Sequence, residues 1–225
     1  MFSPPSLFRY NLGMDVLIIA GPTSTPLDEA REISNRSTGR TGILMAEALG
    51  SANVSTHLWL GRGVTHPIPL KMKPEAYFHT LQDLQLLIEQ ADLSRYDSIL
   101  LAAALPDYQL HQATTPDGKA VTQRKWPSSL PSLKLELRPC PKILPALRQK
   151  APDSKIIGWK WEASSTRSEA EEAARGQIQA CQTDGCVLNG PSYGSGYLLI
   201  LAEGVTHACS DPTELGNAIA RFLGT

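Results

Sequence analysis

The sequence predicts an α/β fold with a mixed, mainly parallel sheet, on three observations. Apolar runs carrying β-branched residues recur at 16–20, 54–60, 98–104, 155–161 and 185–188, and helical patterns lie between most of them. Runs at 197–202 and 205–208 flank Glu203-Gly204, a hairpin signature at the end of the sheet. Strands alternating with helices give parallel neighbours covered on both faces, and a terminal hairpin adds antiparallel ones.

Each element has its own local reason. Residues 1–13 contain Pro4 and Pro5, lack periodicity and read as an N-terminal arm, so that 14–225 form one domain headed by Met14. The first strand runs into Gly21-Pro-Thr23-Ser-Thr-Pro-Leu-Asp28 and then Ile33-Ser34-Asn35-Arg36-Ser37-Thr38-Gly39-Arg-Thr-Gly42, ahead of a helix near 43–49. Free N–H groups at a helix start, with the helix dipole, favour an anion. Ser34, Asn35, Ser37 and Thr38 add neutral donors, although such a loop is equally often an ordinary turn.

Tyr77, Leu81, Leu84, Ile88 and Ala91 recur at steps of three and four and predict one apolar helical face, a core feature. The third strand ends Ala102-Ala103-Ala104-Leu-Pro-Asp107-Tyr108, where small residues admit a ligand. An acid at that place binds a ribose hydroxyl, a polar group or a metal, or simply makes a turn. Residues 110–131 are rich in Thr, Pro, Gly, Lys and Ser and too long for an ordinary connection. They read either as a solvated loop or as a flap carrying Lys119, Arg124 and Lys125 towards a phosphate.

A strand at 133–137 leads to a helix start at Pro139-Cys-Pro141-Lys142-Ile143-Leu144. The fourth run ends Gly158-Trp159-Lys160-Trp161-Glu162, where Trp159 is either a core aromatic or a stacking platform, and Glu162 a candidate for a proton or Mg2+. Thr166 and Glu169 stand at capping-box spacing before a helix at 167–182, and Asp211, Pro212 and Glu214 open the last helix, whose Leu215, Ile219 and Phe222 face the core. The fifth run ends Asn189-Gly190-Pro191. Several polar, glycine-bearing strand ends on one edge describe a cleft.

Composition narrows the partners. With 225 residues and a formal net charge of -1, a small anionic ligand fits better than nucleic acid. Cys140, Cys181, Cys186 and Cys209 form no CxxC pair and read as thiols of a reducing compartment. No apolar run has the length of a membrane span, so the expected location is cytoplasmic, without membrane contact. The dinucleotide glycine fingerprint is absent from the first strand–helix turn, which disfavours a dehydrogenase.

Taken in order and at their spacings, VLIIAGPTSTPLD, ISNRSTGRTG, AAALPDY, PKIL, GWKWE and DGCVLNG resemble the phosphopantothenate-cysteine ligase family, the synthetase part of the bacterial bifunctional coenzyme A flavoprotein. The resemblance spans roughly 15–223 and is most specific at 33–39. It implies a Rossmann-like three-layer sandwich that forms a homodimer, its insertion serving as flap or dimer contact. It also implies a reaction. The carboxylate of 4'-phosphopantothenate attacks the α-phosphate of CTP or ATP with Mg2+, giving an acyl-nucleotide and pyrophosphate, and the amine of cysteine then releases the nucleotide monophosphate.

By the same resemblance Asn35 handles the acyl-nucleotide as the catalytic group. Gly21, Thr23, Ser34, Arg36, Ser37, Ala103, Ala104 and Asp107 accompany it on the substrate side. Asp107, Lys119, Lys125, Pro141, Lys142, Ile143, Leu144 and Trp159 fall on the nucleotide side. Three lysines of the family pattern fall on Thr122 (or, with a small gap, Lys119), Gln177 and Cys181, and Lys160 enters the Gly158–Glu162 segment, either as displaced positive charge or as part of a rebuilt base pocket. Two expectations follow: a ligase with altered nucleotide handling, or a binding protein that keeps phosphopantothenate or a nucleotide without full ligation.

Overall fold

The structure, a computed structural model, describes residues 13–224. The expected N-terminal arm lies outside these residues save for Gly13. The chain opens with β1 (Asp15–Pro22), followed by a small antiparallel pair, β2 (Ser24–Pro26) and β3 (Glu32–Ser34), and then α1 (Arg40–Ser51). Next come β4 (Ser55–Gly61), β5 (Ala76–Phe78), α2 (Leu81–Gln90) and β6 (Ser98–Ala104).

An antiparallel ribbon of β7 (Tyr108–Thr114) and β8 (Lys134–Pro139) stands apart from the main sheet. The chain then forms α3 (Ile143–Lys150), β9 (Lys155–Trp161), α4 (Arg167–Cys181), β10 (Gly185–Asn189), β11 (Tyr197–Leu201), β12 (Thr206–Cys209) and α5 (Pro212–Leu223).

The main sheet has eight strands in the order β12-β11-β10-β9-β6-β1-β4-β5. Pairs from β5 to β10 are parallel, and β10-β11 and β11-β12 are antiparallel, so the sheet is mixed as expected. Val16, Ile18, Leu60, Ile157 and Val187 meet α1 and α5 on one face. Leu17, Ile19, Ile99 and Ile156 meet α2 and α3 on the other, where α4 continues the layer over Cys186 and Leu188. Residues 16–19 are fully buried because both faces of β1 are covered, each side chain contributing about 1.5–3 kcal/mol.

β1 has β4 on one side and β6 on the other, both parallel to it. The strand order reverses there, and the crevice outside the carboxyl ends of β1 and β6 is where such sheets bind ligands.

Two local expectations are corrected. Tyr77 belongs to β5, paired with Leu60, and not to the helix. The reason is a capping box: Thr80 accepts from the Asp83 N–H, and Asp83 accepts from the Thr80 N–H, so α2 starts at Leu81 and ends before Ala91, its C-cap. The insertion is also more ordered than a 110–131 loop: its strands cover 108–114 and 134–139, and irregular chain is confined to 115–133. A register shift between Leu110 and Gln112 breaks the alternation that would have marked β7 as a strand.

Candidate active site

The crevice is tied by one carbonyl. Ala104 O accepts from Thr23 N at 3.1 Å, Thr23 Oγ1 at 2.8 Å and Asn35 Nδ2 at 2.8 Å. Asn35 N in turn donates to Thr23 O at 3.1 Å, and Ser37 N to Asn35 O at 3.0 Å. The β2-β3 hairpin delivers Asn35 to this point, since Ser34 pairs with Ser24 immediately after β1. Asn35 is half-buried, and one amide hydrogen is committed to Ala104. The second hydrogen and Oδ1 have no hydrogen-bond partner among the described residues, and the bond to a carbonyl assigns which end is nitrogen.

The other substrate-side residues divide by exposure. Gly21 and Thr23 are buried, and Gly21 pairs with Ala103 as Pro22 pairs with Ala104. Thr23 therefore acts by holding the crevice together. Ala103 and Ala104 are half-buried, Ser37 half-buried, and Ser34 and Arg36 exposed. The N-cap of α1 is Gly39 at φ 78, without a side-chain cap. Its positive φ suits glycine, and the first-turn N–H groups of α1 start beside the Asn35 loop. Gly42 lets α1 sit close on β1: a Cβ there would stand 2.3 Å from the Ala20 Cβ.

Among the residues expected on the nucleotide side, Lys142 Nζ meets Asp107 Oδ1 at 2.6 Å, and Cys140 N donates to Asp107 O at 2.8 Å. The hydrogen bond to Asp107 raises the Lys142 pKa above its ordinary value, against partial burial. Lys142 is the N-cap of α3 and makes no side-chain cap bond. Ile143 and Leu144 are buried beneath it and Pro141 is exposed, so the solvent-facing parts of this turn are backbone, Pro141 and the two charged groups. Trp159 is half-buried against the α1 and α5 core, a packed aromatic at the sheet's edge.

Two of the three flap cations are held in local pairs. Lys119 pairs with Asp117 at 2.9 Å within the flap, Arg124 pairs with Glu29, and Lys125 is exposed. The flap is docked on the β2-β3 turn: Trp126 N donates to Asp28 Oδ2 at 2.9 Å and Glu29 N to Arg124 O at 2.9 Å. The backbone N–H of Trp126 leads the groups that hold the Asp28 carboxyl below its ordinary value. Between flap and turn lies an open groove of about 740 Å³ lined by residues including Leu27, His111, Thr122 and Trp126.

The positions lacking lysine are filled in other ways. Gln177 Nε2 donates to Trp159 O at 3.3 Å and Cys186 Sγ at 3.4 Å, in the gap left by Gly158. Cys181 is half-buried, and burial raises its thiol pKa.

Two features lie outside the residues assigned a role from the sequence. Asn189 Oδ1 is buried and has no hydrogen-bond partner among the described residues. An unsatisfied acceptor at the end of β10 is costly, and its only sequence signal was a polar residue closing an apolar run. Thr41 and Tyr197 join their hydroxyls at 2.9 Å across the first turn of α1 and the start of β11. No sequence pattern links residues so far apart.

Comparison with known proteins agrees with this fold. The chain is 29% identical over 178 residues to the coenzyme A biosynthesis bifunctional protein CoaBC of Thermococcus kodakarensis, covering 79% of this chain and 41% of that protein. The chain thus spans about two fifths of the length of the curated relatives it matches first. Its fold matches the DNA/pantothenate metabolism flavoprotein of Streptococcus pneumoniae with a TM-score of 0.80 at 21% identity, over 94% of this chain and 98% of that one. A complex of Cab2 mutant H337A with phosphopantothenate-cysteine matches with a TM-score of 0.64 at 18% identity, over 93% and 87% of the two chains. The model of the DNA/pantothenate metabolism flavoprotein C-terminal domain matches residues 12–197, and the chain belongs to that family.

Proposed function

We propose that the chain is a ligase that joins 4'-phosphopantothenate to cysteine through an acyl-nucleotide. The observation that carries this reading is the Asn35 amide fixed on Ala104 at the switch point between β1 and β6. The family and its bifunctional coenzyme A relatives support it.

In the first step a carboxylate oxygen of phosphopantothenate bonds to the α-phosphorus of CTP or ATP while the bond to the leaving pyrophosphate breaks. In the second, the cysteine amine bonds to the acyl carbon, the nucleotide monophosphate departs and the amine loses a proton. Asn35 donates its free amide hydrogen to the acyl oxygen as negative charge develops there, without adding charge of its own. Ala103 and Ala104 let the acyl group approach the backbone, and Ser34, Arg36 and Ser37 contribute polar contacts beside it. The turn at Pro141–Leu144, with Lys142, faces the nucleotide, and Trp159 borders its base.

Mg2+ binds through one or two carboxylates together with substrate phosphates. Asp107 and Glu162 fit that demand at the strand ends, where each is held by a lysine. Bound there, the ion would neutralise phosphate charge. The protein is further read as a cytoplasmic homodimer.

The test is pyrophosphate release by the full chain given 4'-phosphopantothenate, cysteine, Mg2+ and either CTP or ATP. Release that depends on phosphopantothenate is expected; no release with either nucleotide sinks the ligase reading. A second reading, binding without turnover, is favoured by Thr122, Gln177 and Cys181, none of which brings a cation. Tight phosphopantothenate binding with no pyrophosphate release would decide for it.

A further inference from the structure

Side chains alternate along a strand, so Gly158 and Lys160 share one face of β9 while Trp159 and Trp161 share the other. A Cβ at Gly158 would lie 2.7 Å from Gln177 Nε2 and 2.9 Å from Leu144 Cδ1, which identifies that face as the one beneath α3 and α4. Lys160 stands two residues further, about 6.6 Å towards the carboxyl edge. That is the direction in which α3 begins, and its N-cap is Lys142.

Lys160 Nζ lies 3.2 Å from Glu162 Oε1, with side chains 35% and 25% exposed. Another lysine–carboxylate pair on this edge is Lys142 with Asp107. Partly exposed pairs of this kind contribute about 0–1 kcal/mol to stability, little return for a lysine at the end of an interior strand. What such a pair does provide is a charged lysine held in place but open to exchange. A phosphate carries more charge than a carboxylate and offers more acceptor oxygens.

We propose that Lys160 is a phosphate-binding residue of the nucleotide site, stored against Glu162 until an anionic nucleotide displaces the carboxylate. The inference rests on the ligase reading and adds a cation to it. It also gives the chain a local source of positive charge while Lys119 and Arg124 are engaged in the flap.

Calorimetric titration of the full chain with CTP and with ATP, in EDTA so that no metal ligation contributes, tests it. Lys160→Gln should weaken the tighter-binding nucleotide about tenfold or more and flatten the dependence on salt, with phosphopantothenate affinity unchanged. Glu162→Gln should tighten nucleotide binding, because it removes the competing carboxylate; a pair serving stability alone predicts no tightening. Unchanged affinity in Lys160→Gln, or no gain in Glu162→Gln, overturns the assignment. If wild type still releases pyrophosphate, the ligase reading survives that result. Wild type that binds neither nucleotide in EDTA overturns the assignment of Lys160, and the ligase reading falls with it only if no pyrophosphate is released with Mg2+ either.

Discussion

Asn35 Nδ2 donates to Ala104 O at 2.8 Å, so a residue of the β2-β3 loop is anchored on the last residue of β6. The bond spends one donor on position and leaves one for chemistry. Asn35→Asp replaces a donor by an oxygen facing a carbonyl and brings negative charge beside an acyl-phosphate. Turnover should fall by about 10²–10³, the scale for losing one oxyanion donor, with stability lowered by only about 1–3 kcal/mol for the unmade bond to Ala104. Pyrophosphate-release kinetics beside urea unfolding separate the two, and unchanged turnover would remove Asn35 from the mechanism.

His57 makes stability depend on pH at the opposite edge of the sheet. Its Nε2 lies 2.6 Å from Asp15 Oδ1 and its Nδ1 2.6 Å from Glu75 Oε1, a geometry that wants both nitrogens protonated. Burial alone would lower the pKa, but the bonds to Glu75 and Asp15 outweigh it and raise it above 6.5, while Asp15 and Glu75 are lowered. The histidine term is therefore fully present below about pH 6.5 and lost as pH rises through the raised value. The carboxylate terms are present above about pH 4.5 and lost in acid. Tm should be highest between these limits, and His57→Gln should flatten the fall on the alkaline side. A Tm decline there that is identical in both proteins would exclude His57 as its source.

Much of the sheet was legible because its strands are apolar on both faces and its helices carry their own caps, as Thr166 with Glu169 and Asp211 with Glu214 show. Tyr77 was misread because a tyrosine one turn before a helix satisfies the same spacing as a residue in it. Only the pairing with β4 and the Thr80 cap decide otherwise. Asn35 was legible as a donor in a loop, but its anchor was not, because Ala104 acts through its carbonyl, which every residue has. Asn189 and the Thr41-Tyr197 pair depend on burial and on contacts distant in sequence, which no local pattern encodes.

Gly42→Ala probes the packing that holds the helix start in register. The new Cβ would stand 2.3 Å from the Ala20 Cβ, between a helix and a strand that are both in the core. Neither side can give without moving backbone, so a loss of about 1–3 kcal/mol is expected. Gly50→Ala on the same helix, where nothing lies within 4 Å, is the control and should be neutral or slightly stabilising. Equal denaturation midpoints for the two variants would show that α1 moves freely on β1.

The flap is docked through two neighbouring carboxylates, Asp28 and Glu29, and Asp28 is the covered one. The Asp28 side chain is fully covered, accepts from Trp126 N, and pairs with Arg31 at 2.5 Å. Trp126, 7% exposed, is the buried aromatic that this bond places. Asp28→Ala leaves the Trp126 N–H and the Arg31 charge without that partner, whereas the ribbon of β7 and β8 keeps its own ladder. Hydrogen exchange and protease cutting within 115–133 should therefore accelerate roughly tenfold, with protection in β1 and β6 unaltered. If protection falls equally in the sheet, Asp28 supports the whole domain and is not a latch for the flap.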